Sequence, residues 1–309
     1  MTGSKFRLVT RSDFDGLICA VLLKELNMIE DIKFVHPKDM QDGKIDITNS
    51  DITTNLPYVK DAHLSFDHHL SETLRNEKNE NHIIDAEAPS AARVVYDYYG
   101  GEERFPSSWN DMMEAVDKGD SAQFNKDEIL HPEGWVLMNF LMDARTGLGR
   151  FKDFRISNYQ LMMDLIDYCK DHDLQQVMQL PDIKERVDLF KEHEQAAKEQ
   201  IQRCSKTYKN CVVLDLRNEE IIFAANRFMI YAMFPDCNIS VHVMWGLKQQ
   251  NTVLAIGKSI LNRSSNTNVG ELCLRYAGGG HLNAGTCQVN NENNEQLLQE
   301  IIQKINNDG

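Results

Sequence analysis

The rhythm of apolar positions changes along the chain. Phe6-Arg7-Leu8-Val9-Thr10 is β-prone, and after Asp13-Phe14-Asp15-Gly16 the run Leu17 to Leu26 is continuous enough in apolar residues for a buried helix. Ile32-Lys33-Phe34-Val35 and His63-Leu64-Ser65-Phe66 predict further strands. Ala88 to Tyr99, with Pro89 and Ser90 near its head and Gly100-Gly101 behind it, predicts a helix. Strands alternating with helices imply an α/β domain, a mostly parallel sheet with helices on both faces. Ligands in such sheets gather beyond the carboxyl ends of the strands. The pair Asp13 and Asp15 and the residue Asp67 fall at such ends.

From Asp111 to Thr207 helical patterns dominate. The charged stretch Asp182 to Cys204, directly after Pro181, suits a connecting helix. Strand patterns return in Cys211-Val212-Val213-Leu214-Asp215, Ile239 to Trp245 and Thr252 to Gly257, and a final helix is expected over Asn294 to Ile305. The expected organisation is therefore an α/β domain over 1–180, a helical linker over 181–208, and a smaller α+β domain over 209–309. Asn-rich patches near Asn266 and Asn291 read as turns.

Composition narrows the class. Of 309 residues 42% are hydrophobic and 26% charged, an ordinary globular balance. No apolar run approaches the ~20 residues that span a bilayer. The start Met1-Thr2-Gly3-Ser4-Lys5-Phe6-Arg7 lacks the apolar core and cleavage site of a signal peptide, so a cytoplasmic protein with no membrane partner is expected. Seven cysteines form no CxxC pair, so neither a disulfide framework nor a cysteine zinc site is signalled. The net charge of -14 argues against long nucleic acid, which is gripped through its phosphates by basic faces. A small phosphate can still enter a local pocket of Arg, His and metal ions.

Four segments carry candidate chemistry. Asp13-Phe14-Asp15-Gly16 sets two carboxylates at a strand end with a glycine that permits a tight turn; the plain alternative is a helix N-cap. Phe66-Asp67-His68-His69 offers oxygen and nitrogen ligands suited to a borderline divalent metal, and three ionisable groups beside an apolar strand are costly without a partner. Asp117-Lys118-Gly119-Asp120-Ser121 is a carboxylate-bearing turn after a helix, or simply a solvated loop. Gly278-Gly279-Gly280-His281 brings backbone amides and an imidazole to one loop, where an anion can be approached closely.

Taken in this order, the segments resemble the DHH phosphoesterase family, named for the triplet that stands here as Asp67-His68-His69. The resemblance covers nearly the whole chain, with the Gly-Gly-Gly-His loop belonging to the DHH-associated domain. It implies two Mn2+ or Mg2+ ions and a metal-activated water. Relatives act on very short oligonucleotides, on linear or cyclic dinucleotides and on pAp; RecJ-type nucleases also belong, and pyrophosphatases and exopolyphosphatases share the first domain. Residue by residue, the resemblance implies Asp13, Asp15, Asp67 and His68 as metal ligands, with His69 facing substrate phosphate. A bridging aspartate is assigned to Asp51, with Asp46 as the alternative. Asp120-Ser121-Ala122-Gln123-Phe124 matches the family's acidic turn better than a frame at Asp117, so Asp120 joins the ligands. Arg263, Gly278, Gly279, Gly280 and His281 would hold the substrate.

Arg11 departs from the pattern, because the family places a histidine ligand there. A guanidinium stays protonated and binds no metal. One ion is then expected to be the weaker, with Arg11 gripping phosphate beside the catalytic Asp67, His68 and His69. The expected activity is hydrolysis of phosphodiester bonds in short oligonucleotides or dinucleotides. Polyphosphate or pyrophosphate hydrolysis, or a catalytically weakened nucleotide-binding protein, are the alternatives, and homodimerisation is left open.

Overall fold

The β-prone run at the head of the chain is strand β1 (Phe6–Arg11) of a five-stranded sheet in the computed structural model, which describes residues 5–151 and 153–309. Strands β2 (Ile29–Val35), β3 (Asp51–Thr54), β4 (Leu64–Asp67) and β5 (His82–Ile84) complete it in the order β2-β1-β3-β4-β5. Every pairing is parallel. The expected α/β architecture is thus present, with β3 and β5 added to the strands read from the sequence.

Helix Phe14–Glu25 leaves β1 and is buried from Phe14 through Leu23. A helix that is apolar all round needs neighbours on every side. It has them in helices Ala91–Tyr98, Asn110–Asp120 and Asn158–Asp171. The other face of β1 is covered around Val9 by Met40, from the short helix Pro37–Gln41, and by Ile47, Leu56 and Ala62 from irregular chain. Gly16 is required where helix and strand meet: a Cβ there would lie 2.0 Å from the Arg11 carbonyl oxygen.

Compactness divides the chain into two units. The first runs to Phe124 and adds Pro132–Ala144 and Leu148–Asp188; the second takes Asn125–His131, Arg145–Gly147 and Leu189–Gly309. The charged stretch after Leu180 is one helix, Pro181–Cys204, within which the chain passes from the first unit to the second.

The second unit is built on a six-stranded mixed sheet of β6 (Ser205–Tyr208), β7 (Cys211–Asp215), β8 (Ile239–Trp245), β9 (Thr252–Lys258), β10 (Gly279–Gly280) and β11 (Ala284–Val289), in the order β10-β11-β9-β8-β7-β6. Val213, Ile239, Val241, Leu254 and Cys287 pack on helices Val269–Leu274 and Asn294–Asp308 through Val269, Leu272, Leu298, Ile301 and Ile305. All seven cysteines are free thiols. Among the described residues no helix is long and apolar enough to cross a membrane.

Candidate metal centre

Parallel register places the ends of three strands side by side. Thr10 pairs with Thr54, and Thr54 with Phe66. The next residues along β1, β3 and β4 are therefore Arg11, Asn55 and Asp67, in a row at the carboxyl edge of the sheet. Helix Phe14–Glu25 then carries Asp15 in its first turn, and helix Asn110–Asp120 ends at Asp120.

Asp15, His68 and Asp120 each offer a ligand atom within 4.8 Å of the other two. Asp15 is buried at 2% exposure and accepts from the amides of Ala91 (3.1 Å) and Ala92 (2.8 Å). Those amides open helix Ala91–Tyr98, whose dipole favours a negative charge at that end. Burial nevertheless pushes the Asp15 carboxyl up to about 8, with the nearby Asp120 charge adding to it.

His68 is held by its Nδ1, which donates to the Ala88 carbonyl at 3.2 Å. That bond leaves Nε2 as the nitrogen that could coordinate a metal. Nε2 approaches Asp120 Oδ2 to 2.7 Å yet makes no aligned hydrogen bond, as expected of two ligands that face one ion. Burial opposes charge on this ring, but the Asp120 carboxylate, with Asp15 and Asp67, outweighs it and lifts His68 to about 9. Asp120 is lowered in turn: burial works against its charge, and His68 overcomes that.

Asp67 Oδ1 accepts from the His68 amide (2.8 Å), the His69 amide (3.3 Å) and His69 Nδ1 (2.7 Å). Its Oδ2 is buried and has no partner among the described residues. An orphaned carboxylate oxygen is expensive, and a cation beside it removes the cost. Asp67, His68 and His69 likewise have ligand atoms within 4.8 Å of one another. The donor set of hard carboxylates with one or two imidazoles fits a divalent ion of the Mn2+ or Mg2+ kind.

Asp13 caps its helix, accepting from Gly16 N at 3.0 Å, and also pairs with Arg11 Nε at 2.9 Å. The capping reading of this residue therefore applies, and Asp13 stands in neither candidate ligand group among the described residues. Asp120 is not in a turn as its sequence context suggests; it closes helix Asn110–Asp120. Asp117, one turn earlier, is committed to Arg93 Nη2 at 2.6 Å and Ser90 Oγ at 2.7 Å, steadying the head of helix Ala91–Tyr98.

The structure does not bring Asp51 to the centre. It opens β3 level with Arg7, roughly 10 Å from the carboxyl edge at the usual rise per residue. Its carboxylate is filled by Arg7 Nε at 2.6 Å and the Thr48 amide at 2.7 Å. The runner-up Asp46 is exposed, and its carbonyl accepts from Arg7 Nη2 at 3.0 Å. Asn55 holds the place instead. It is 1% exposed, has φ of 55°, and directs Nδ2 to Asp13 Oδ1 at 3.5 Å, while its Oδ1 is buried without a partner. Sequence reading misses it, although Ile52-Thr53-Thr54 is a β-branched run followed by Asn55 and Pro57, a strand ending in turn residues.

In the second unit the glycine loop is a hairpin, with Gly279 opposite Thr286 and Gly280 opposite Gly285. Packing of the chain itself demands two of the three glycines. A Cβ at Gly278 would lie 2.3 Å from Thr286 O, and one at Gly280, where φ is 159°, 2.4 Å from Ala284 O. A Cβ at Gly279 would meet nothing within 4 Å. His281 is exposed at the turn, and Arg263 is exposed with Nε donating to Ile260 O at 3.1 Å.

Fold and centre together define a DHH-family phosphoesterase, and the chain belongs to that family. It is 61% identical to the pGpG-specific phosphodiesterase PggH from Vibrio cholerae, over 99% of this chain and 100% of that one, with a TM-score of 0.89. The fold is also shared at 11% identity with RecJ from Thermus thermophilus in complex with Mn2+, over 99% of this chain and 52% of that one, with a TM-score of 0.56. CDC45 from Entamoeba histolytica is similar at 8% identity over 97% of this chain and 95% of that one, with a TM-score of 0.51. No family model and no curated protein sequence matches the chain.

Proposed function

We propose that the protein hydrolyses the phosphodiester bond of a short 5′-phosphorylated dinucleotide of the pGpG kind, with Mn2+ or Mg2+ held by Asp15, Asp67, His68 and Asp120. The observation that carries this is the Asp15–His68–Asp120 donor set, with Asp15 buried, in a chain aligned end to end with a pGpG-specific phosphodiesterase. Bound there, a divalent cation supplies Lewis acidity toward the attacking water and a phosphoryl oxygen.

The protein's own groups do the remainder. The Ala88 carbonyl and the amides of Ala91 and Ala92 keep His68 and Asp15 in place. His69, anchored through Nδ1 on Asp67, turns its other nitrogen toward a non-bridging oxygen, and Arg11 adds a fixed cation. We assign the chemistry to residues 1–180 and recognition to residues 209–309, through Arg263, the Gly278-Gly279-Gly280 amides and His281. The overall charge of -14 disfavours longer polyanions.

Purified protein with Mn2+ should release GMP from pGpG faster than it releases phosphate from pAp or polyphosphate. Undiminished hydrolysis in excess chelator, or a preference for polyphosphate, rejects this reading.

A further inference from the structure

The carboxyl edge of the sheet is electrically lopsided. Asp120 approaches the available nitrogen of His68 at 2.7 Å, and His68 is common to a group with Asp15 and Asp120 and a group with Asp67 and His69. The two ligand groups share that histidine, whose Nδ1 is taken by Ala88, so its one remaining nitrogen can serve only one ion at a time. Beside them Asp13 is already engaged by Arg11 Nε at 2.9 Å, Gly16 N at 3.0 Å and Asn55 Nδ2 at 3.5 Å. Among the described residues neither ligand group includes Asp13.

Arg11, Asp13 and Asn55 together carry no net charge. A second divalent ion there would sit against a permanent guanidinium with only a neutral amide oxygen, Asn55 Oδ1, added to the Asp13 carboxylate. The chain therefore offers strong compensation for one ion and almost none for another.

We propose that this centre binds a single divalent cation, and that Arg11, seated on Asp13, supplies the second positive charge toward the scissile phosphate. The inference rests on the metal-dependent reading above. Arg11 Nε is committed to Asp13, and no hydrogen bond of its terminal nitrogens is seen among the described residues. They form a planar donor pair suited to two phosphoryl oxygens. Asn55 is a positioning residue, since it acts on Asp13 and through it on Arg11.

The test counts ions. Wild-type protein loaded with Mn2+ and freed of excess should hold one Mn2+ per chain and give the six-line paramagnetic resonance signal of an isolated ion. Arg11→Gln should keep one ion and lose about 100-fold in kcat on pGpG, the usual cost of one transition-state donor. The double variant Arg11→His/Asn55→Asp should take up a second ion and show spin coupling. Two coupled ions in the wild type, a double variant that gains none, or an Arg11→Gln variant with unchanged kcat each overturns the inference while leaving metal dependence intact. Wild-type protein that binds no ion and turns over pGpG in chelator overturns both.

Discussion

His68 faces Asp120 at 2.7 Å with its other ring nitrogen pinned to the Ala88 carbonyl, so the metal-free protein must hold protons where the loaded protein holds an ion. The folded-state pKa of His68 is raised to about 9, that of His69 is raised also, and that of Asp15 is raised to about 8. Each makes the folded state bind more protons than the unfolded chain, so their contribution to stability falls as pH rises. For His68 the favourable part is complete below about 6.5 and gone above about 9. For Asp15 the penalty builds from the ordinary carboxylate range up to about 8. Asp120, lowered, acts with the opposite sign but only at acidic pH. The melting temperature of chelated protein should therefore drop between pH 6 and pH 9, and added Mn2+ should stabilise more at the higher pH because fewer protons compete. Differential scanning fluorimetry at both values checks this, and a metal-induced shift larger at pH 6 than at pH 9 contradicts it.

Asp67 and Asp51 provide an internal contrast. Asp67 leaves a buried oxygen open at the centre, whereas Asp51 spends both oxygens on Arg7 and Thr48 at the other end of the sheet. Asp67→Ala should lower kcat by several orders of magnitude and weaken Mn2+ binding. Asp51→Ala should leave kcat within a few-fold and cost about 2 kcal/mol of stability, because the Arg7 guanidinium and the Thr48 amide lose their acceptor. Paired urea unfolding and steady-state kinetics separate the two. A catalytic collapse in Asp51→Ala with normal unfolding would restore it as a site residue.

That contrast also marks how far the pattern of the chain reaches by itself. Elements dominated by apolar residues, such as helix Phe14–Glu25 and strands β1, β7, β8 and β9, announce themselves by their pattern. The short strand Asp51–Thr54 is polar in composition though wholly buried, and His82–Ile84 has three residues, so neither yields a usable period. With β3 hidden, the aspartate that starts the strand reads as the residue that ends it, and Asn55 escapes notice. Strands β10 and β11 are hidden for a related reason, since glycine and alanine give no alternation. The candidate ligands Asp15, Asp67, His68 and Asp120 are singled out in the sequence because their motifs are ordered along the chain. Which of Asp117 and Asp120 faces the centre depends on helix phase, which a sequence read as a turn does not supply.

The glycine loop separates packing from recognition. Gly278→Ala should destabilise the second unit by about 1–3 kcal/mol, because its Cβ would intrude on Thr286 and Cys287 in a hairpin that has no slack. Gly279→Ala should fold normally, since its Cβ enters open space, yet raise KM for pGpG by crowding an anion that approaches the backbone. Thermal unfolding with kinetics on both variants checks the pair. Equal destabilisation by the two substitutions would leave no place for a ligand at Gly279.

The proposed recognition role of His281 predicts an effect on substrate selection rather than on bond cleavage. The residue lies in the second unit, exposed at the turn of the Gly279–Gly280 hairpin, while the ligand groups all belong to the first. A group that recognises the far part of a dinucleotide contributes to binding energy that a small activated ester does not use. His281→Ala should therefore impair hydrolysis of pGpG more than hydrolysis of bis-p-nitrophenyl phosphate, chiefly through KM. Arg263→Ala should show the same bias, and the double variant should lose less than the product of the single losses if both hold one part of the ligand. Matching losses on the two substrates would assign His281 to the chemistry or to folding, and a circular dichroism melt identical to wild type would then leave the chemistry as its role.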